Sequence, residues 1–125
     1  ARGLLRFLAL ALDQPAVLVY DMVRPTDAFG RQMVDNLRAR GLRVPGMEAC
    51  PSLDAHAQRL REEGWARCEV VDMLQWYERG LDPEARRRAE RIEWLDEVEE
   101  WRLLLSHYCF ALATGRKLSR PGAGP

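Results

Sequence analysis

The sequence has only three cysteines and no net charge, and each of these scarcities excludes a class of protein. The cysteines are odd in number and widely spaced, which argues against a disulfide framework and against a zinc site. Nineteen basic residues balance nineteen acidic ones, so the composition does not predict a broad surface for nucleic acid. We expect a reducing compartment, and therefore a cytoplasmic protein.

Long hydrophobic runs are also absent. The best candidate for a membrane span, Leu4 to Leu12, contains Arg6 and is followed by Asp13, whereas a bilayer needs about 20 apolar residues. We therefore predict no membrane partner. No signal peptide, phosphate loop, glycine-rich dinucleotide turn or nucleophile elbow is visible. What is present, 47% apolar and 30% charged residues, is typical of one ordinary globular domain.

Helical and strand patterns alternate in the first half of the chain and predict an α/β domain. Apolar residues at a four-residue spacing predict a helix over Gly3 to Leu12. The run Ala16 to Tyr20 is typical of a strand that is buried on both faces. Thr26 or Asp27 then offers an N-cap for a second helix, which we expect to end at Gly41.

The second half continues the pattern with weaker signals. Two prolines and a glycine predict a loop between Leu42 and Pro51, and Ser52 caps a helix that ends at Gly64. Partial alternation predicts a strand over Trp65 to Val71. Three further helices are indicated by Asp72 with Gln75, by Asp82-Pro83-Glu84, and by Val98, Trp101 and Leu105. Residues 103–113 are almost all apolar, and periodicity alone does not distinguish helix from strand there.

Side chains that carry chemistry stand alone in the sequence. Cys50 has no histidine placed locally to activate it, so a small buried or loop thiol is favoured. His56 lies within a predicted helix without a titratable neighbour at helical spacing, and His107 adjoins Tyr108. Both are interpreted as packed histidines rather than as ligands or bases. The acidic residues between positions 96 and 100 predict a solvated surface, so we expect no metal site.

A collinear set of short strings resembles the leucine carboxyl methyltransferase family. The longest string, VYDMVRPTDAFG, covers Val19 to Gly30 and would follow the fifth strand of that family's sheet. Shorter strings continue the resemblance in the family's order, among them Gly46 to Cys50, Ser52-Leu53, Gly64-Trp65, Val71-Asp72-Met73, Arg91-Ile92-Glu93, Leu95-Asp96-Glu97 and His107-Tyr108-Cys109. No single string is specific to the family, but the order in which they follow one another is. Together they cover residues 1–115.

The resemblance implies the C-terminal half of a class I AdoMet-dependent methyltransferase fold, which is Rossmann-like and α/β. Such a fold has a mostly parallel seven-stranded sheet with an antiparallel last strand. Its strands five to seven would be about Ala16 to Asp21, Ala66 to Val71 and His107 to Ala113. Residues 1–115 would form this part of the methyltransferase domain, and residues 116–125 a flexible tail or linker.

The same resemblance implies that the chain is a part of a longer protein. The glycine-rich turn and the acidic residue that hold the cofactor in such folds are expected N-terminal to Ala1. Without the preceding strands, the fifth strand would present an unpaired apolar edge. We therefore expect the isolated chain to be poorly stable and catalytically silent.

The implied reaction is transfer of a methyl group from S-adenosyl-L-methionine to a carboxylate, which gives a methyl ester. A carboxylate is ionised at neutral pH, so the reaction needs no strong general base. The family has two substrates: the wybutosine precursor in phenylalanine tRNA, and the C-terminal leucine of the protein phosphatase 2A catalytic subunit. The strings Arg24 to Gly30, Arg86 to Glu93 and Glu99 to Trp101 favour the tRNA, whereas Met47 to Cys50 and His107 to Cys109 are closer to the phosphatase branch. A non-catalytic interaction module is the alternative from a different class.

The resemblance also implies where substrate would bind. The loop after the fifth strand faces the active-site cleft in such sheets, and Arg24 there is a candidate partner for a carboxylate. Helix capping is the simpler interpretation of Asp27. The candidate substrate-binding residues are Tyr20, Asp21, Arg24, Asp27, Phe29 and Gly30. No catalytic residue and no metal ligand is predicted.

Overall fold

A computed structural model describes residues 1–115, and the predicted tail at 116–125 lies outside the described residues. Three strands, β1 (Ala16–Met22), β2 (Arg67–Asp72) and β3 (Tyr108–Thr114), form one sheet in the order β1-β3-β2. β3 is antiparallel to both neighbours, so β1 and β2 run parallel to each other. This arrangement confirms the predicted α/β fold with an antiparallel last strand.

Helices connect the strands and begin largely where the sequence predicts. Asp27, Ser52, Asp72 and Asp82 each accept the backbone amide of the residue three positions later, which satisfies a donor that the first helical turn leaves unpaired. The helices are α1 (Arg2–Ala11), α2 (Ala28–Ala39), α3 (Pro45–Ala49), α4 (Leu53–Glu62), α5 (Met73–Gln75), which continues as a π-helical turn over Trp76–Gly80, α6 (Pro83–Ile92) and α7 (Val98–Ser106).

Two sequence predictions about local structure are wrong in part. The predicted loop over Leu42 to Pro51 contains helix α3, because Pro45 occupies a first-turn position where a missing amide costs nothing. The strand predicted to start at Trp65 begins at Arg67. Trp65 instead packs into the core, where it is almost fully buried. The apolar stretch that periodicity left open is helix to Ser106 and strand from Tyr108, as the resemblance implied.

One face of the sheet, the helix-covered face, is packed against α1 and α4 and holds the main core. Leu60 of α4 is fully buried there, and Leu5 of α1 is nearly so. Burying one leucine side chain contributes about 1.5–3 kcal/mol to folding. The core cluster consists of Leu5, Leu60, Trp65, Ala111 and Ala113, with Leu8, Ala9, Val17, Val19, Cys68 and Val70 packed against it.

The opposite face, here called the aromatic face, carries Leu18, Tyr20, Tyr108, Phe110 and Leu112. The ring of Tyr20 stacks on that of Tyr108 at 5.3 Å between centroids, and Trp76 of the π-helical turn meets Phe110 edge-on at 5.5 Å. Leu18 is 63% exposed and Leu112 is 45% exposed. Helices therefore cover only part of this face. Within the described part of the chain, no helix combines the length and apolar character needed to cross a membrane.

Candidate functional site

The loop that joins β1 to α2, residues 23–27, is held in a conformation that its own sequence disfavours. Arg24 has a φ of 59°, in the left-handed region, which costs a residue with a side chain about 1–2 kcal/mol. Its backbone amide donates to the carbonyl of Pro51 at 3.0 Å. Its guanidinium donates to Asp72 Oδ2 at 3.1 Å and to the carbonyl of Ser106. These contacts fix Arg24 between the ends of β2 and α7.

Gly30 allows α2 to lie directly against this loop. A Cβ atom at position 30 would overlap the carbonyl oxygen of Arg24 and would lie 2.8 Å from Cα of Pro25. Cβ atoms do not approach backbone that closely, so a larger residue would push the helix and the loop apart. The predicted site residue Gly30 therefore has a packing role that the structure makes explicit.

Asp27 joins the start of α2 to the start of β3. Its Oδ1 accepts the amide of Gly30 at 2.7 Å, which confirms the predicted helix cap. Both carboxylate oxygens also lie 2.7 Å from Nε2 of His107. Burial raises the pKa of Asp27, but the Gly30 amide, His107 and Arg24 together outweigh it, and the pKa falls below its ordinary value. Asp27 is therefore held as a carboxylate.

His107 lies at the centre of these contacts, and its side chain is 2% exposed. Its Nδ1 lies 2.7 Å from the carbonyl oxygen of Leu103 and 3.1 Å from Oγ of Ser106, on the side opposite Asp27. The ring of Phe29 packs on the imidazole at 4.6 Å between centroids. The interpretation of His107 as a packing residue missed these polar contacts. No local signal reveals them, because Asp27 is 80 positions away in the sequence.

A second polar group lies under α4 at the same end of the sheet. Asp21, Cys109 and Asp72 occupy neighbouring register positions on the helix-covered face. The pKa of the Cys109 thiol is raised to about 11, mainly by burial and further by Asp21. Cys109 is therefore a neutral thiol at pH 7 and a poor nucleophile. Cys50 is buried as well, in keeping with the prediction of an inert thiol.

His56 is fully buried above this row. Its Nε2 lies 3.3 Å from the carbonyl oxygen of Met22, and its Nδ1 lies 3.3 Å from Nη2 of Arg59. Burial is the main cause that lowers the pKa of His56, and Arg59 adds to it. The prediction that His56 has no charged neighbour at helical spacing is wrong, since Arg59 is at i+3. The ring accepts from Arg59 and donates to Met22, as only a neutral imidazole does.

The six predicted substrate contacts divide between the two faces of the sheet. Asp21 is on the helix-covered face, and its Oδ1 accepts the amide of Met22 at 2.8 Å. Tyr20 is 56% exposed on the aromatic face, where burial and Tyr108 raise the pKa of its phenol. The structure brings Arg24, Asp27, Phe29 and Gly30 together in the loop and the first turn of α2. Their role as substrate contacts stays a prediction.

Within residues 1–115, no group of three or more His, Cys, Asp or Glu side chains has the arrangement of a metal site. The charged side chains of the loop are paired with residues outside it, Arg24 with Asp72 and Asp27 with His107. A cavity of about 350 Å³ lies beside Pro25 between α2 and α3, with Leu37, Arg38 and Met47 in its lining. The lining of this cavity therefore combines apolar side chains with arginine.

These features define the class of protein first. Two parallel strands flank an antiparallel last strand, and helices lie on both faces, as in the C-terminal part of a Rossmann-like methyltransferase fold. No protein-family model matches the chain.

Curated relatives then identify the family. The chain is 34% identical over 113 residues to leucine carboxyl methyltransferase 1 homolog of Arabidopsis thaliana, covering 90% of this chain and 34% of the relative. It is 39% identical over 116 residues to tRNA wybutosine-synthesizing protein 4 of Homo sapiens, covering 93% of this chain and 17% of the relative. Leucine carboxyl methyltransferase 1 of Emericella nidulans is 46% identical over 99 residues, covering 77% of this chain and 25% of the relative. The chain belongs to the leucine carboxyl methyltransferase family, and it spans between 17% and 34% of these relatives' length.

Proposed function

We propose that the protein is a carboxyl methyltransferase that forms a methyl ester on a substrate carboxylate. The observation that carries this proposal is the 34–46% identity to relatives named for that chemistry over most of the chain. The arrangement of the loop after β1 supports it. A carboxylate nucleophile needs positioning and exclusion of water rather than a strong base, and the loop holds the Arg24 guanidinium in a fixed position.

In this proposal the loop and the first turn of α2 hold the substrate. Asp72 and the Ser106 carbonyl fix the Arg24 guanidinium, and the Arg24 side chain is still 37% exposed. A carboxylate that approaches the exposed edge would meet donors that are already oriented, so little side-chain entropy is lost on binding. Asp27 and Gly30 then act by holding the loop, and Tyr20 contributes an exposed phenol on the aromatic face.

The methyl donor in this proposal is S-adenosyl-L-methionine. Its sulfonium carries the methyl group that becomes the ester methyl. As the family resemblance implies, we assign its contacts to the parts of the relatives that this chain does not cover. We further propose a cytoplasmic location, on the grounds of the cysteine content alone.

The substrate that we propose first is the carboxyl group of the wybutosine precursor in phenylalanine tRNA. Support comes from 39% identity over 93% of the chain to the human relative whose name includes wybutosine synthesis. The second candidate is a C-terminal leucine carboxylate, as in the protein phosphatase 2A catalytic subunit. The 46% identity to leucine carboxyl methyltransferase 1 of Emericella nidulans favours it.

Tritium transfer from methyl-labelled S-adenosyl-L-methionine tests this proposal. The full-length protein that contains this chain is incubated separately with hypomodified phenylalanine tRNA and with a peptide ending in leucine. A methyl ester releases labelled methanol in mild base, whereas a methylated amine does not. We expect base-labile label in the tRNA. Label in the peptide alone would move the assignment to the second candidate, and label in neither would favour a non-catalytic interaction module.

Matched arginine variants test the role of the loop. Arg24→Lys keeps the charge but loses the forked donors, so we expect a rise in KM of about tenfold. Arg102→Lys is the control, because Arg102 makes an exposed ion pair with Glu78 far from the loop in sequence. Equal effects of the two substitutions would refute a binding role for Arg24.

A further inference from the structure

The two histidines of the chain have opposite hydrogen-bond surroundings. His56 has an acceptor, the Met22 carbonyl, on one side and a donor, the Arg59 guanidinium, on the other. His107 has acceptors on both sides, the Asp27 carboxylate at Nε2 and the Leu103 carbonyl at Nδ1. A neutral imidazole carries one N–H and an imidazolium carries two. Only the protonated ring donates on both sides of His107.

The neutral forms of His107 each leave one close contact unfavourable. With the proton on Nδ1, the lone pair of Nε2 would lie 2.7 Å from both Asp27 oxygens. With the proton on Nε2, the lone pair of Nδ1 would lie 2.7 Å from the Leu103 carbonyl oxygen. The Ser106 hydroxyl does not relieve the second case, because it lies 2.7 Å from that same carbonyl and donates to it.

The charges around the ring favour the cation as well. Asp27 faces it from the start of α2, and its pKa is lowered. Arg24 approaches from the loop, but Asp72 at the end of β2 pairs with it, so its charge is balanced. The carbonyl of Leu103 belongs to the last turn of α7, where the helix dipole is negative. The positive charge of an imidazolium at His107 is therefore balanced by Asp27 and by the C-terminal end of α7.

His107 also joins three elements. Its ring reaches α2 through Asp27 and α7 through Leu103. Its backbone carbonyl accepts the amide of Val23 at 2.9 Å. Val23 is the first residue of the loop and is almost fully buried. Loss of the Nε2 proton would break the link to Asp27 and loosen the loop where it enters α2.

We propose that His107 is a positioning residue, held as an imidazolium between Asp27 and Leu103, that fixes the β1–α2 loop for substrate binding. The link to substrate rests on the proposed function, whereas the protonation state does not. Without the imidazolium the loop is looser and substrate binds less well, while the chemical step is affected little.

Histidine-selective ¹⁵N NMR of the full-length protein tests the protonation state. The difference between its spectrum and that of His107→Gln assigns the ring, and we expect both ring nitrogens at imidazolium shifts at pH 7. Asp27→Asn keeps the helix cap but removes the charge, so the ratio of charged to neutral ring should fall by about tenfold or more. Ser106→Ala should leave the ring charged. A neutral ring at pH 7 in the unsubstituted protein overturns the proposal.

The kinetics of methyl ester formation test the link to function. His107→Gln cannot be charged, so we expect its KM to be about tenfold higher than that of the unsubstituted protein, with kcat changed much less. An unchanged KM in His107→Gln, or a loss confined to kcat, overturns the positioning role. Absence of any ester in the unsubstituted protein refutes the proposed function instead and leaves the NMR result standing.

Discussion

The helix-covered face and the aromatic face are built from the same three strands, yet their side chains have very different surroundings. Val17, Val19 and Ala111 on the first face pack against α1 and α4 in the main core. Leu18 and Leu112 alternate with them in sequence and remain largely exposed on the second face. Alternation along a strand decides which residues share a face. Whether a face is buried depends on the helices that other segments of the chain place against it.

The difference shows which apolar surface remains exposed within residues 1–115. Leu18, Tyr20 and Leu112 form a contiguous apolar region on β1 and β3, next to the edge of β1 that carries no partner strand within residues 1–115. Exposed apolar patches beside an open strand edge are typical of surfaces that pack against further structure.

The largest difference between the faces should appear on truncating one leucine on each. Leu60→Ala removes a fully buried side chain under α4, and we expect a loss of about 3–5 kcal/mol in the free energy of unfolding. Leu112→Ala removes a half-exposed side chain and should cost about 1 kcal/mol or less. Urea unfolding of both variants measures the difference. Similar losses would mean that the aromatic face is as well packed as the other.

The corner where the loop meets α2 should tolerate no added methyl group. Gly30→Ala places a Cβ against the Arg24 carbonyl, and we expect a loss of about 3 kcal/mol from the resulting displacement. Gly3→Ala is the control, since a Cβ at position 3 of α1 meets nothing within 4 Å. The control should stabilise by about 0.5–1 kcal/mol because alanine favours helix. Thermal melts compare the two, and a stable Gly30→Ala variant would contradict the close approach.

Acid should weaken the helix-covered face before it affects the loop. Burial lowers the pKa of His56, so its contribution to stability is fully present above its ordinary value of 6.5 and is lost as pH falls toward the folded value. The lowered pKa of Asp27 acts in a separate window, below its ordinary value of 3.8. Unfolding measured from pH 7 to pH 5 should therefore show a decline that His56→Gln reduces. An unchanged slope in that variant would remove His56 as its source.

The smallest effect on stability is expected at the most exposed position of the aromatic face. Leu18→Thr introduces a β-branched residue of high strand propensity, so we expect a change within about 0.5 kcal/mol. Binding of a hydrophobic dye should fall in the same variant because apolar surface is removed. Dye fluorescence measures the exposed apolar surface, and urea unfolding measures how much the packing of Leu18 contributes to stability. A large loss of stability would show that Leu18 is covered.

Most of the fold follows from local sequence, and most of the site does not. Caps at Asp27, Ser52 and Asp82 predict helix starts because each depends on an amide three residues away. The assignment of β3 as an antiparallel strand came only from the family resemblance, since its apolar run suits helix or strand equally. The contacts of His107 with Asp27 and of Arg24 with Asp72 join distant segments. No spacing rule reports them, and the resemblance named only one residue of each pair as a site residue.

The position of β3 has a consequence for how the chain acquires its structure. Among the three described strands, β3 is last in sequence but central in the sheet, and β1 and β2 bond to it rather than to each other. A nascent chain that ends before Tyr108 therefore has β1 and β2 but not the strand that joins them. Contacts at large sequence separation form slowly, so we expect the pairing of these three strands to be complete only after β3 has been synthesised.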